Sequence, residues 1–108
     1  MTPDLATDQW GLCVTTAGPG AADAITALDQ TLMSYLAIGR QTGGLLKSAI
    51  KADPGMVMGH CLKGYFFLLM ASAPLRARVP KVLAAAEQGL AAATPREQAH
   101  VRALKHWA

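Results

Sequence analysis

Residues 51–74, KADPGMVMGHCLKGYFFLLMASAP, contain a helix boundary followed by the most apolar stretch of the chain. Pro54 disfavours helix at the residue before it and fits the first turn of a new helix. Asp53 is a residue type that caps such a turn, so one helix is predicted to end there and the next to begin. The new helix, predicted over 56–71, is apolar around nearly its whole circumference. This pattern predicts contacts on several sides and the centre of the core.

Two amphipathic helices are predicted before this boundary. From Ala21 onward, apolar residues follow the spacing of one helix face, and the early Asp23 suits the positive end of the helix dipole. We predict that Gly43 and Gly44 form a turn, after which a second, short helix runs to Asp53. The apolar face of the first helix is Ile25, Leu28, Leu32, Tyr35 and Leu36, and that of the second is Leu45, Leu46, Ala49 and Ile50.

Two more helices are predicted after the apolar stretch. Pro74 is expected to end the third helix, and Pro80 is expected in the first turn of the fourth. The sequence TPRE at 94–97 is a capping box with proline at the first helical position, because the Thr94 hydroxyl and the Glu97 carboxylate can each bond the other's backbone N–H. A fifth helix is therefore predicted, and its apolar face is Val101, Leu104 and Ala108.

The first 20 residues show no helical period. They include Pro3 and the sequence GPG at 18–20, which predicts an irregular N-terminal arm. Trp10, Leu12 and Val14 alternate with smaller residues, so the arm is expected to lie extended with one apolar edge against the helices.

Composition places the fold in the all-α class. Alanine fills 21 of the 108 positions, aromatic residues make up 6% and hydrophobic residues 52%, a mixture that favours helix strongly and strand hardly at all. We predict antiparallel helix pairs over 21–108, preceded by the arm over 1–20. The expected core residues are Leu28, Leu32, Leu46, Ile50, Leu62, Tyr65, Phe66, Leu69, Leu83 and Leu90.

Membrane insertion and secretion are not expected. The apolar stretch is interrupted by His60 and Lys63 and is too short for a membrane helix, which needs about 18 or more apolar residues. Two cysteines cannot form the dense disulfide framework of small secreted domains, and the start of the chain lacks the signal-peptide pattern. A cytoplasmic protein is therefore expected.

Charge is distributed unevenly along the chain. Residues 1–39 carry four aspartates and no Lys or Arg, whereas residues 40–108 carry all ten basic residues against three acidic ones. A basic region can bind nucleic acid, but here the basic residues are dispersed and no aromatic stacking pattern lies between them. A solvated helix surface is the favoured interpretation, and a basic RNA-binding repeat is a disfavoured one.

His60, Lys63 and His100 are the candidate groove or site residues. His60 precedes Cys61, but adjacent helical residues point in different directions and a zinc site needs three or four convergent ligands. We therefore expect His60 to be a packed histidine with one hydrogen bond, and Cys61 to be a small core residue rather than a nucleophile. Glu97 and His100 could face one side of a helix as an acid and a base, but capping already accounts for Glu97. No catalytic residue, metal or cofactor is predicted.

The order of helices and prolines also fits a helical repeat. Segment 49–54 has a small residue followed by proline five residues later, as at the end of a tetratricopeptide unit, and Tyr65 lies near the usual tyrosine position of the next unit. Cys61 and Leu62 stand where leucine and glycine are typical.

Three stretches resemble the tetratricopeptide repeat protein 38 family: DQWGL at 8–12, ADPGMVMGH at 52–60 and TPREQAHV at 94–101. The resemblance covers essentially the whole chain, but only the N-terminal portion of a typical family member. It implies a superhelical stack of helix pairs, truncated within a repeat, that binds a protein or peptide partner in its concave groove. The resemblance carries over no catalytic residue.

The expected function is a helical-repeat protein-interaction module or scaffold. The alternative is the N-terminal part of an enzyme whose catalytic residues lie in further repeats, with His60 or His100 contributing. The fifth helix would lack a partner, so its apolar residues are expected to be covered on one side only. Self-association through this C-terminal helix, or fraying from Thr94 onward, is the expected consequence.

Overall fold

The computed structural model describes residues 4–37 and 39–108, so Pro3 of the predicted arm lies outside the described residues. The chain is mostly helical with a small two-stranded sheet, which confirms the helical class. None of the helices in these ranges is both long enough and apolar enough to span a membrane. The elements are β1 (Asp4–Thr7), β2 (Cys13–Thr16), α1 (Ala21–Leu36), α2 (Thr42–Ala52), α3 (Val57–Leu69), α4 (Ala73–Arg76), α5 (Val79–Glu87) and α6 (Pro95–Trp107), with a 3₁₀ turn at Leu90–Ala92.

Helices α1 and α2 form the most extensive helix contact in the chain. One hydrophobic cluster joins them to β2 and to Met56; its buried members are Val14, Ala24, Ile25, Leu28, Ala49 and Met56. A Cβ on Gly20 would overlap the carbonyl oxygen of Ala52, so only glycine permits this close approach of the two helix ends. Gly43 and Gly44, predicted as a turn, lie instead inside α2, because the Leu45 N–H bonds the Gln41 carbonyl and carries the helix through them.

Helix α3 lies at the centre of the fold, as predicted, and contacts α2, α4, α5, α6 and β2. Its length is somewhat less than predicted, and Ala71, just beyond its end, has a φ of 50° in the left-handed region. Gly64 allows α6 to approach, since a Cβ there would lie 2.6 Å from Leu104 Cδ2. The buried residues of α3 are Val57, Gly59, His60, Cys61, Gly64 and Leu68.

The helix boundaries agree in part with those predicted from the sequence. The capping box is confirmed, with the Glu97 N–H donating to Thr94 Oγ1 and the Thr94 N–H donating to Glu97 Oε1. Asp53 ends α2, but it does not cap α3: Met56 is the N-cap residue, and the Asp53 carboxylate accepts instead from the N–H of Ala17 in the arm. Pro74 does not simply end α3, because a further short helix, α4, begins around it.

The N-terminal arm is a β-hairpin rather than an irregular segment. Strands β1 and β2 pair antiparallel, and the Asp8 carboxylate holds the turn by accepting from the N–H groups of Trp10 and Leu12 at 2.9 Å each. Gly11 supplies the positive φ of 77° that the turn requires. Of the predicted apolar edge, Val14 is buried, whereas Trp10 and Leu12 are 48% and 44% exposed. The four-residue strands are too short to show a clear alternating period.

Most of the large residues predicted to form the core are less buried than expected. Leu28 and Leu46 are buried as expected, but Leu69 is 52% exposed, and the other seven predicted core residues are partly buried. Alanine and glycine at the helix contacts let backbones approach closely, which leaves large side chains at the edges. The largest fully buried side chains are Met56, Leu104, Glu97, Val14, Val57, Val79, Thr31, Asp53 and Cys61.

Helix α6 is covered more completely than the sequence predicted. Val101 and Leu104 are 2% and 0% exposed, so the expectation that they are covered on one side only is wrong. They pack into two clusters with residues of α3 and α5. Trp107 is exposed, and its ring centroid lies 6.1 Å from that of Tyr65. Self-association through α6 stays a prediction.

Candidate functional site

An open groove lies where the end of α1, the start of α2 and the end of α3 meet. It has a volume of about 700 Å³ and is referred to below as the apolar groove. Its lining is apolar apart from Thr42, Lys63, the Tyr35 hydroxyl and two glycines. The apolar side chains are Tyr35, Leu36, Leu46, Phe66, Phe67, Leu69 and Met70.

Several of these side chains are exposed to an extent that is unusual for large apolar residues. Leu36 and Met70 are 70% and 66% exposed, and Leu69 and Tyr35 are about half exposed. The Tyr35 and Phe66 rings stack with centroids 5.0 Å apart, which fixes the groove floor between α1 and α3. Contiguous exposed apolar surface of this kind marks sites of interaction on proteins.

Two cations lie beside Phe67 of the apolar groove: Lys63, which lines the groove, and Arg78, which does not. The Lys63 ammonium group is 5.7 Å from the centroid of the Phe67 ring, and the Arg78 guanidinium carbon is 4.8 Å from the same centroid. Both distances are within the range of cation–π attraction, which holds the charges beside the groove. No acidic side chain lines the groove in the part of the chain that the structure describes.

The structure separates the three candidate site residues. Lys63 lines the apolar groove, but His60 and His100 do not. His60 is buried and its Nε2 donates to the Pro54 carbonyl oxygen at 2.5 Å, which confirms the packed histidine with one hydrogen bond. His100 lies on α6, where the Tyr65 hydroxyl is 3.1 Å from both its Nδ1 and its carbonyl oxygen.

Burial favours the neutral forms of His100, Tyr65 and Cys61. Burial lowers the pKa of His100, and the Arg96 charge lowers it further against an opposing effect of Glu97. Burial also raises the pKa of Tyr65. Cys61 is fully buried, and burial together with the Glu97 charge raises the pKa of its thiol to about 12. A thiol in this state is a core residue and not a nucleophile, as predicted.

Sequence reasoning missed a second role for two buried carboxylates. Glu97 caps α6, but its Oε2 also accepts from the Thr15 N–H at 3.0 Å, and Oε1 accepts from the Thr15 hydroxyl. Asp53 likewise binds the arm through the N–H of Ala17 at 2.9 Å. Both side chains are essentially inaccessible to solvent. The sequence holds only a weak indication of this second role, namely that Asp53 and Glu97 are two of the three acidic residues within 40–108.

A second, polar cavity of about 480 Å³ lies between the hairpin turn, α1 and α2. Gln9 donates its backbone N–H to Asp29 Oδ2, while Asp29 Oδ1 has no hydrogen-bond partner among the described residues. Burial raises the pKa of Asp29. Across residues 4–37 and 39–108, no cluster of three His, Cys, Asp or Glu side chains could hold a metal ion.

Among the features described above, the apolar groove is therefore the best candidate for a binding site. Apolar side chains and a pair of cations can bind a ligand of matching character, whereas the histidines and the buried thiol are engaged in packing. Comparison of the chain with protein-family models, with curated proteins and with solved structures finds no match.

Proposed function

We propose that this chain is a helical protein-interaction module that holds a segment of a partner protein in the apolar groove. The observation that carries the proposal is the exposure of Leu36, Leu69 and Met70 in one continuous groove. Covering apolar surface is favourable by roughly 25 cal/mol per Å², so a partner that fills the groove gains from each of these side chains.

A protein segment suits this groove better than a small ligand does. Small-molecule sites usually enclose most of the ligand, about 70–90% of its surface. Here three of the lining side chains, Leu36, Leu69 and Met70, are more than half exposed, so a small ligand against them would stay largely in water. A polypeptide can place successive side chains along an open groove and cover its rim with neighbouring residues.

The proposal extends to a tetratricopeptide-like arrangement of the helices and to a cytoplasmic setting. The short connection between α1 and α2 and their extensive contact support an antiparallel pair, and the three stretches that resemble the tetratricopeptide repeat protein 38 family support a repeat. Both cysteines are free, with Cys13 exposed, which fits a reducing compartment.

The test is selection of random peptides on the whole chain, followed by affinity measurements by fluorescence anisotropy on the enriched peptides. A double variant, Leu36→Gln with Met70→Gln, should weaken binding about tenfold or more, because both side chains lose apolar contact with the peptide. Met33→Gln is the matched control, since Met33 is a similarly exposed methionine outside the groove.

Urea unfolding of both variants shows whether the fold is intact. Enriched peptides that bind the groove variant as tightly as the unaltered chain, or a selection that enriches nothing, would contradict the proposed function.

A further inference from the structure

The apolar groove provides very few hydrogen-bonding groups to a bound backbone. Its hydroxyls are those of Thr42 and Tyr35. The Thr42 hydroxyl is already engaged: it is 2.8 Å from the Ser34 hydroxyl and donates to the Gly39 carbonyl at 3.0 Å. An extended peptide buried against this lining would leave its own N–H and C=O groups unpaired, which is unfavourable. A helix satisfies its backbone internally and presents only side chains, so an amphipathic helix is the conformation that the lining favours.

The positive charges beside the groove favour a partner helix whose polar face is acidic. Lys63 and Arg78 both lie beside the Phe67 ring. The groove lining contains no acidic side chain among the residues that the structure describes. An acidic side chain on the partner would therefore be attracted by the two cations, whereas a basic one would be repelled.

From these two observations we infer that the occupant of the apolar groove is an acidic amphipathic helix of the partner protein. The inference rests on the function proposed above and names the partner's chemistry. The apolar face of the helix covers Leu36, Phe66 and Met70. Its Asp or Glu residues lie beside Lys63.

The experiment uses the peptides enriched on the whole chain and, for each, a synthetic analogue with every Asp and Glu replaced by Asn and Gln. The acidic peptides should bind roughly threefold to fivefold more tightly than their amide analogues at low salt, the range of one exposed ion pair. High salt should remove most of this difference because it screens exposed charges. Lys63→Glu should abolish or reverse the preference, while Lys105→Glu, an equal charge change on the exposed side of α6, should leave it unchanged.

The outcomes separate the inference from the function it rests on. Amide analogues that bind as tightly as the acidic peptides, with binding still lost in the Leu36→Gln and Met70→Gln double variant, would overturn the acidic partner and leave the interaction module in place. Enriched peptides that are basic, or that stay without helical circular dichroism when bound, would also overturn it. Peptides that bind the Leu36→Gln and Met70→Gln double variant as tightly as the unaltered chain would overturn both proposals.

Discussion

At the scale of single residues, Glu97 joins parts of the chain that are far apart in sequence. Its carboxylate accepts from the backbone and hydroxyl of Thr15 and from the backbone N–H of Thr94, and the side chain has no exposure to solvent. Removing this acceptor leaves buried donors without partners, which costs about 1–3 kcal/mol for each group.

We expect Glu97→Ala to lower the free energy of unfolding by roughly 3 kcal/mol or more, as measured by urea denaturation, since several donors lose their acceptor together. Glu87→Ala, on an exposed position of α5, is the control and should change stability by less than about 0.5 kcal/mol. Equal effects of the two substitutions would show that the Glu97 contacts do not stabilise the fold.

His100 should make stability depend on pH. Its pKa in the folded chain lies below the ordinary value of 6.5, so the unfolded chain binds the proton more readily. The Tyr65 hydroxyl can donate to Nδ1 only when the imidazole is neutral. The contribution of His100 is therefore complete above pH 6.5 and is lost as the pH falls through the lower folded value.

Urea unfolding at about pH 8 and about pH 5 tests this prediction. The unaltered chain should lose more stability between the two than His100→Gln does. His106→Gln, at an exposed position of the same helix, should behave like the unaltered chain. If the His100→Gln variant keeps the pH dependence of the unaltered chain, His100 is not a source of that dependence.

At the scale of elements, the spacing of α3 and α6 depends on Gly64. A Cβ at this position would lie 2.6 Å and 2.9 Å from the two terminal methyl carbons of Leu104, which is fully buried. Gly44 in α2 has the opposite setting: it is helical, and nothing would lie within 4 Å of an added Cβ.

The same substitution should therefore have opposite effects at the two sites. Gly64→Ala should destabilise the fold by about 1–3 kcal/mol through overpacking. Gly44→Ala should stabilise it by about 0.5 kcal/mol, because alanine loses less backbone entropy in a helix. Thermal unfolding followed by circular dichroism measures both effects. A Gly64→Ala variant as stable as the unaltered chain would contradict the close contact between α3 and α6.

At the scale of the whole molecule, the hairpin belongs to the same cooperative structure as the helices. Val14 is buried among residues of α1 and α2, while Glu97 and Asp53 bind the backbone N–H groups of Thr15 and Ala17. These two bonds connect the arm to α6 and to the α2–α3 boundary.

We expect the amide protons of Thr15 and Ala17 to exchange with solvent about as slowly as those in the middle of α3 in native-state hydrogen exchange. The amides of Trp10 and Leu12 serve as the internal comparison. They are also hydrogen-bonded to a carboxylate, but in an exposed turn, and should exchange faster. If all four exchange at similar high rates, the arm opens independently of the helices.

The sequence by itself determined the features that depend on neighbouring residues. The capping box at Thr94 and Glu97, the start of α1 at Ala21 and the central position of α3 follow from local hydrogen bonding and apolar periodicity. The packed state of His60 was also predictable, because a single histidine on an apolar helix lacks the converging partners of a metal site.

Only the tertiary structure decided where distant segments meet. Asp53 binds Ala17 and not the next helix, and Glu97 binds Thr15, because folding brings buried N–H groups beside carboxylates that local capping rules assign elsewhere. Leu69 was predicted to be in the core but lines the apolar groove, since periodicity gives the face of a helix and not what covers that face. The groove exists because three helix ends converge while leaving one side open, and no pattern within any one of those helices contains that information.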